Sequence, residues 1–202
     1  ADALLIGDNG QVSIVQGTPA NGPNLAQVSM QWANGQPAPA STSYLEGVAT
    51  LSPDLGAADI VETTSGTSVL IGGQGGDSLR AGRGNGVVFG DGASLTWSSG
   101  VLRQATSFGV AQGCADTIEL GAGSGADDGH KLVVGGFGGD SITVSSVQGS
   151  GSTPETARER AIAGDNATVI LDANGRLTGF ATLDTDAATG GNDTVQLSVS
   201  AA

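Results

Sequence analysis

An eight-residue phrase occurs twice in this chain, as Gly72-Gly73-Gln74-Gly75-Gly76-Asp77-Ser78-Leu79 and as Gly135-Gly136-Phe137-Gly138-Gly139-Asp140-Ser141-Ile142. It reads glycine, glycine, any residue, glycine, any residue, aspartate, any residue, aliphatic. Glycine reaches positive φ angles that other residues avoid, so such a run turns tightly. The turn's carbonyls and the aspartate carboxylate are hard oxygen donors of the kind that hold Ca2+. The aliphatic residue after the turn opens a strand, whose successive side chains point to opposite faces. A chain built on this phrase is confined to short strands joined by glycine turns.

Glycine turns followed by aspartate recur along the whole length, beginning at Gly7, Gly56, Gly72, Gly90, Gly113, Gly135, Gly164 and Gly190. The shortest spacings, 16 and 18 residues, equal two nonapeptides: strand, turn, strand, turn. Aliphatic residues keep step. Leu5, Leu70, Val88, Val133 and Ile162 stand two before the turn glycine, and Val61, Leu79, Ile118, Ile142 and Val195 stand two after the aspartate. In the shorter Gly-Asp turns the aliphatic residue comes four on, at Val12, Leu95 and Val169. These positions predict two stacked inward ladders, for which branched aliphatics are well shaped. One coil cannot bury its inner face alone and needs neighbours above and below. The expected fold is all-β: a parallel β-roll, or β-solenoid, of about seven coils. It would form a single domain over residues 1–202, with the Asp-bearing turns on one edge. The extra length, near 16–52, 98–110, 121–131, 145–160 and 173–188, is expected on the opposite edge, because insertions in repeats collect on one face. A longer period is also visible. The Gly-Asp turns at 7, 90 and 164 are 83 and 74 residues apart, each larger unit running Gly-x-x-Asp, nonapeptide, Gly-Asp.

The insertions carry signals of their own. Val28 to Trp32 followed by Asn34-Gly35 reads as a strand into a tight turn, and Thr168 to Asp172, Asn174-Gly175 and Arg176 to Thr178 as a hairpin. Thr153-Pro154-Glu155 predicts a short helix to about Ile162, with Thr153 as N-cap. Trp32, Trp97 and Phe108 could cover the sides of the roll or meet a neighbour.

At this point the chain resembles the RTX-type repeats of large secreted or surface-attached bacterial proteins. The resemblance rests on the two full nonapeptides and the surrounding Gly-Asp turns, and spans roughly half the residues. It implies calcium binding and an extracellular setting. Unlike that family's pattern, only one edge here is consistently acidic, and two of the eight turns are complete.

The metal candidates are Asp77 and Asp140 with Gly72, Gly75, Gly135 and Gly138, then Asp59, Asp116 and Asp193, then Asp8, Asp91 and Asp165 in the shorter turns. Ca2+ takes six to eight oxygens, so adjacent turns would share an ion. The bland alternative is an aspartate that hydrogen-bonds its own turn. Asp127-Asp128 with His130 and Lys131 supplies too few ligands for zinc and reads as a solvated loop. Cys114, alone and at a variable turn position, forms no disulfide within the chain.

A net charge of −13 with no basic stripe argues against nucleic acid, and no apolar run approaches a transmembrane helix. No nucleophile–base pairing marks an enzyme. The expected function is an extracellular, calcium-stabilised structural module forming a stalk, matrix or filament. The ends read as uncapped, as in an excerpt of a longer array, so head-to-tail or lateral self-assembly is the expected partnership. The alternatives are an adhesin segment, contacting glycan or a cell surface through its insertions, and, more remotely, a polysaccharide-active enzyme by fold analogy.

Overall fold

The computed structural model describes residues 3–17, 42–98, 100–121, 129–148, 160–186 and 188–201. Among the described residues sixteen strands follow one another, and there is no helix. In chain order they are β1 (Ala3–Ile6), β2 (Gly10–Gly17), β3 (Thr42–Thr50), β4 (Ile60–Ser65), β5 (Ser68–Ile71), β6 (Ser78–Arg83), β7 (Gly86–Phe89) and β8 (Ala93–Ser98). There follow β9 (Val101–Ser107), β10 (Thr117–Leu120), β11 (Lys131–Gly136), β12 (Ser141–Gln148), β13 (Arg160–Asp165), β14 (Ala167–Leu171), β15 (Leu177–Thr182) and β16 (Thr194–Ala201).

They build three sheets, which corrects the expectation of a single parallel β-roll. A central parallel sheet runs β1-β5-β7-β11-β13, an outer parallel sheet β4-β6-β10-β12-β16, and a six-stranded antiparallel sheet β2-β3-β8-β9-β14-β15. The two expected ladders lie in the parallel sheets. Leu5, Leu70, Val88, Val133 and Ile162 are register partners in the central sheet. Val61, Leu79, Ile118, Ile142 and Val195 are register partners in the outer one. Val12, Leu95 and Val169 join neither. They lie in the antiparallel sheet, in one row through Val48 and Ala105.

The physical reason is in the central strands. Ser68–Ile71, Gly86–Phe89 and Lys131–Gly136 are buried at every residue, as befits parallel strands covered on both faces. Leu70, Val88 and Val133 face the outer sheet, where they meet Leu79, Ile118 and Ile142. The residues between them, Val69, Ile71, Val87, Phe89, Leu132 and Val134, face the other way. That second apolar face needs a cover, and the antiparallel sheet supplies it through Leu45, Val48, Leu95, Trp97, Ala105 and Val169. Trp97 therefore belongs to this core, whereas Phe108 is 44% exposed.

The insertions expected opposite the acidic turns are in three cases on the same edge. Hairpins β2–β3, β8–β9 and β14–β15 leave directly after the Gly-Asp turns at Gly7, Gly90 and Gly164. They leave from the first, third and fifth strands of the central sheet. Two strand spacings amount to about 9.6 Å, the width of one two-stranded hairpin. The three hairpins therefore abut, β3 against β8 and β9 against β14. This match of width to height is the structural meaning of the long sequence period.

The hairpin around Asn174-Gly175 forms as the sequence predicts, with Gly175 at φ 74°. Arg160 to Ile162, expected at the end of a helix, are instead in strand β13, paired with Lys131 to Val133. Each strand of the central sheet needs a neighbour, and that pairing overrides local helix propensity. The rest of the expected helix, the strand at Val28 to Trp32, and Asp127-Asp128 lie outside the described residues. Lys131 does not sit in a solvated loop: it opens β11, fully buried, and its Nζ donates to the Gly84 carbonyl.

Candidate metal centre in the acidic turns

Every passage from the central sheet to the outer sheet, direct or by way of a hairpin, ends in an aspartate that precedes the outer strand. These are Asp59, Asp77, Asp116, Asp140 and Asp193, and they form one column. The Asp59 N–H donates to Asp77 Oδ1 (2.7 Å), Asp77 to Asp116 (2.7 Å), Asp116 to Asp140 (2.8 Å) and Asp140 to Asp193 (2.9 Å). The expected alternative, an aspartate bonding its own turn, is realised at Asp172, which accepts the N–H groups of Asn174 and Arg176. In the column the carboxylates of Asp77, Asp116, Asp140 and Asp193 instead reach the turn of the neighbouring coil.

Asp8, Asp91 and Asp165 form a second set at the hairpin exits. Asp8 Oδ2 accepts the Gln74 N–H (2.7 Å), and Asp91 Oδ2 accepts the Phe137 N–H. Gln74 and Phe137 are the variable residues of the two nonapeptides, so a short turn and a full turn are bonded to each other by position rather than by side-chain identity. Asp165 accepts the Gly191 N–H at 3.3 Å.

The glycines divide the work. Gly73 and Gly136 hold φ of 109° and 120°, a region that disfavours any side chain. Gly72 and Gly135 are needed for space. A Cβ on Gly72 would overlap the Gly90 carbonyl oxygen and Asp77 Oδ2, and one on Gly135 would overlap the Gly164 carbonyl oxygen and Asp140 Oδ2. Gly90 repeats this against Gly135 O and Asp116 Oδ2. Gly75 and Gly138 approach the backbone of the preceding turn, at Ala57 and Cys114. Cys114 itself is exposed.

A carboxylate oxygen and a peptide carbonyl oxygen therefore converge at each of these three glycines. Asp77, Asp116 and Asp140 are each 2% exposed, and Oδ2 of each has no hydrogen-bond donor; Asp91 is 3% exposed and its Oδ1 lacks one. Burial pushes the Asp77 carboxyl up to about 6, Asp140 to about 7, Asp116 to about 8 and Asp91 to about 9. Neighbouring carboxylates add to the rise, Asp140 and Asp77 at Asp116 for instance, and the backbone N–H bonds oppose it. Asp165 is raised in the same direction, first by burial and then by Asp193.

Buried anionic oxygens facing carbonyl oxygens repel unless something positive lies between them. The donor set fits a hard cation: carboxylate and carbonyl oxygens with no sulfur or imidazole. Among the described residues no three Asp, Glu, His or Cys side chains come together around one point. A cation in this column would thus take single carboxylates with peptide carbonyls, not a carboxylate cage. Sequence reasoning singled out these eight aspartates as candidates, but it missed the split within the carboxylates of Asp77, Asp91, Asp116 and Asp140, one oxygen bonded and one bare. Comparison with protein-family models, curated proteins and solved structures finds no match.

Proposed function

We propose that this chain is a structural module of an extracellular protein, and that calcium holds its acidic turns together. The observation that carries this reading is the row of buried, donorless oxygens, Asp77 Oδ2, Asp116 Oδ2 and Asp140 Oδ2, each facing a glycine carbonyl. Bound calcium would supply the positive charge that row lacks. The chain's own part is positional: Oδ1 of each aspartate is fixed by an N–H from the adjacent coil, which aims Oδ2 at the carbonyl. One carboxylate per level is a weak ligand set, suited to affinities of about 10⁻⁴–10⁻³ M, the regime of extracellular modules. The likeness of the two nonapeptides to RTX repeats supports the same setting.

Support for assembly comes from the ends of the sheets. Val195 and Leu197 on β16 are 48% and 49% exposed, although their register partners Ile142 and Val144 are fully buried. They face inward with no strand among the described residues to cover them, and such edges pair with further strands.

The test is thermal unfolding and isothermal titration in chelator and in millimolar calcium. Expected are saturable heat and a rise in Tm, because a ligand that binds only the folded state stabilises it by about 2.7 kcal/mol at a hundredfold excess over Kd. The competing occupant is a proton on Oδ2, donated to the carbonyl. A Tm that ignores calcium and chelator alike at pH 8 would discard the calcium reading and leave the proton.

A further inference from the structure

We infer that the end of the molecule formed by β13, β15 and β16 is a docking face for one coil of the uninterrupted nonapeptide type, and not for another coil that carries a hairpin. This rests on reading the chain as a module that assembles end on. Such a coil is a strand, a Gly-Gly-x-Gly-Gly-Asp turn and a second strand.

Three observations select it. The first is the shape of the end. β13 is the last strand of the central sheet, β16 the last of the outer sheet and β15 the last of the antiparallel sheet. Phe180 on β15, 39% exposed, pairs with buried Val169 and faces inward, as Val195 and Leu197 do from β16. The outer edge of β13, which pairs with no further strand among the described residues, is thus a step: the antiparallel sheet overhangs it by one strand, β15, and the inward side chains of β16 flank it on the other side.

The second is strand counting. Hairpins leave from the first, third and fifth central strands, and each fills two positions in the antiparallel sheet. Six antiparallel strands therefore stand beside five central ones. A hairpin-bearing coil placed sixth would launch its hairpin one strand spacing after the last, about 4.8 Å on, where β15 already lies. A copy of this chain stacked directly through β1 makes that clash. A nonapeptide coil, which carries no hairpin, makes none.

The third is the open hydrogen bonding of the last turn. Asp8 and Asp91 each accept an N–H from the variable residue of the next nonapeptide, Gln74 or Phe137. Asp165 occupies the same position and, among the described residues, accepts only Gly191 N–H. In the column, Asp140 N–H reaches Asp193 Oδ1, while Asp193 N–H finds no acceptor among the described residues. An incoming nonapeptide supplies both missing partners, its variable N–H to Asp165 and its aspartate to Asp193.

The experiment extends the full chain at its C-terminus in two ways. One adds a copy of residues 121–148, which carries a connector and a nonapeptide coil; the other adds a copy of residues 149–201, which carries a connector and a hairpin coil. Hydrogen exchange is read at the outward amides of β16 and β13. The nonapeptide extension is expected to slow them by about tenfold or more, and the hairpin extension to leave them unchanged. Proline in the added copy, at the position copied from Phe137, removes the N–H meant for Asp165 and should reverse part of the protection. Equal protection by both extensions, or protection by neither, overturns the inference. Running each arm in calcium and in chelator separates the two proposals: protection that persists in chelator keeps the docking face while the calcium reading falls.

Discussion

The hairpins of the antiparallel sheet and the acidic turns leave the central sheet from the same edge, and they hold together by opposite means. The hairpins rest on side-chain packing: Leu95, Trp97, Ala105 and Val169 are buried in one apolar cluster with the central sheet. No residue of the acidic turns belongs to either apolar cluster. The turns hold through backbone N–H groups on carboxylates, and they leave one oxygen of each inner aspartate bare. One region therefore owes nothing to calcium or protons, and the other is tuned by whatever cation or proton reaches it.

The sharpest way to break this comparison is in the packed region. Phe89→Ala should lose about 3–5 kcal/mol, because it opens a cavity beneath the antiparallel sheet. Urea unfolding should show the same loss in calcium and in chelator; a loss confined to one condition would merge the two regions. Next comes Asp116→Asn, which keeps an acceptor for the Asp77 N–H and removes the charge. It should erase much of the calcium-induced gain in Tm, on the order of 1–2 kcal/mol of it, while raising stability in chelator at pH 8.

The pH dependence follows from the raised carboxyl groups. Their folded values lie above 3.8, so the folded state holds extra protons between that value and about 6 for Asp77, 7 for Asp140, 8 for Asp116 and 9 for Asp91. Wherever the folded state binds more protons, stability falls as pH rises. In chelator, Tm is expected to be highest near pH 4 and to decline stepwise to pH 9; in calcium the slope should flatten. A Tm that climbs over this window in chelator would contradict the burial of these groups.

Smaller effects sharpen the contrast. Gly175→Ala strains a positive-φ turn of the third hairpin and should lose about 1 kcal/mol whatever the calcium concentration. Arg80→Ala removes a 3.3 Å ion pair with Glu119 on the exposed face of the outer sheet, and is expected to change stability by less than about 1 kcal/mol in urea titrations.

How much of this was legible in the sequence depended on which residues were counted. The ladders through Val88 and Val133, and through Leu79 and Ile142, followed from spacing alone, because the turn glycines mark where each strand begins. The third sheet did not, although its trace was present. Val69-Leu70-Ile71 and Leu132-Val133-Val134 are continuous apolar runs, not alternating ones, and a run that is apolar on both faces demands cover on both. Reading only every second residue discarded Val69, Val87 and Leu132, and with them the reason for the hairpins. The acidic column was visible as a list of aspartates, but its cross-coil bonding joins residues 18 to 53 positions apart and has no local signature.

The doubly apolar central sheet has a consequence for how the chain finds its alignment. In most half-buried strands a slip of one residue throws polar groups inward, and the hydrophobic pattern corrects it. In β5, β7 and β11 a slip would merely exchange one aliphatic residue for another, Val69 for Leu70 or Val87 for Val88, so greasiness cannot tell right from wrong. The aspartates can. Each offers a single oxygen to a single N–H in the next coil, and a strand displaced by one position would miss it. The acidic turns thus act as the notches of a key, setting the phase of strands that would otherwise be free to slide.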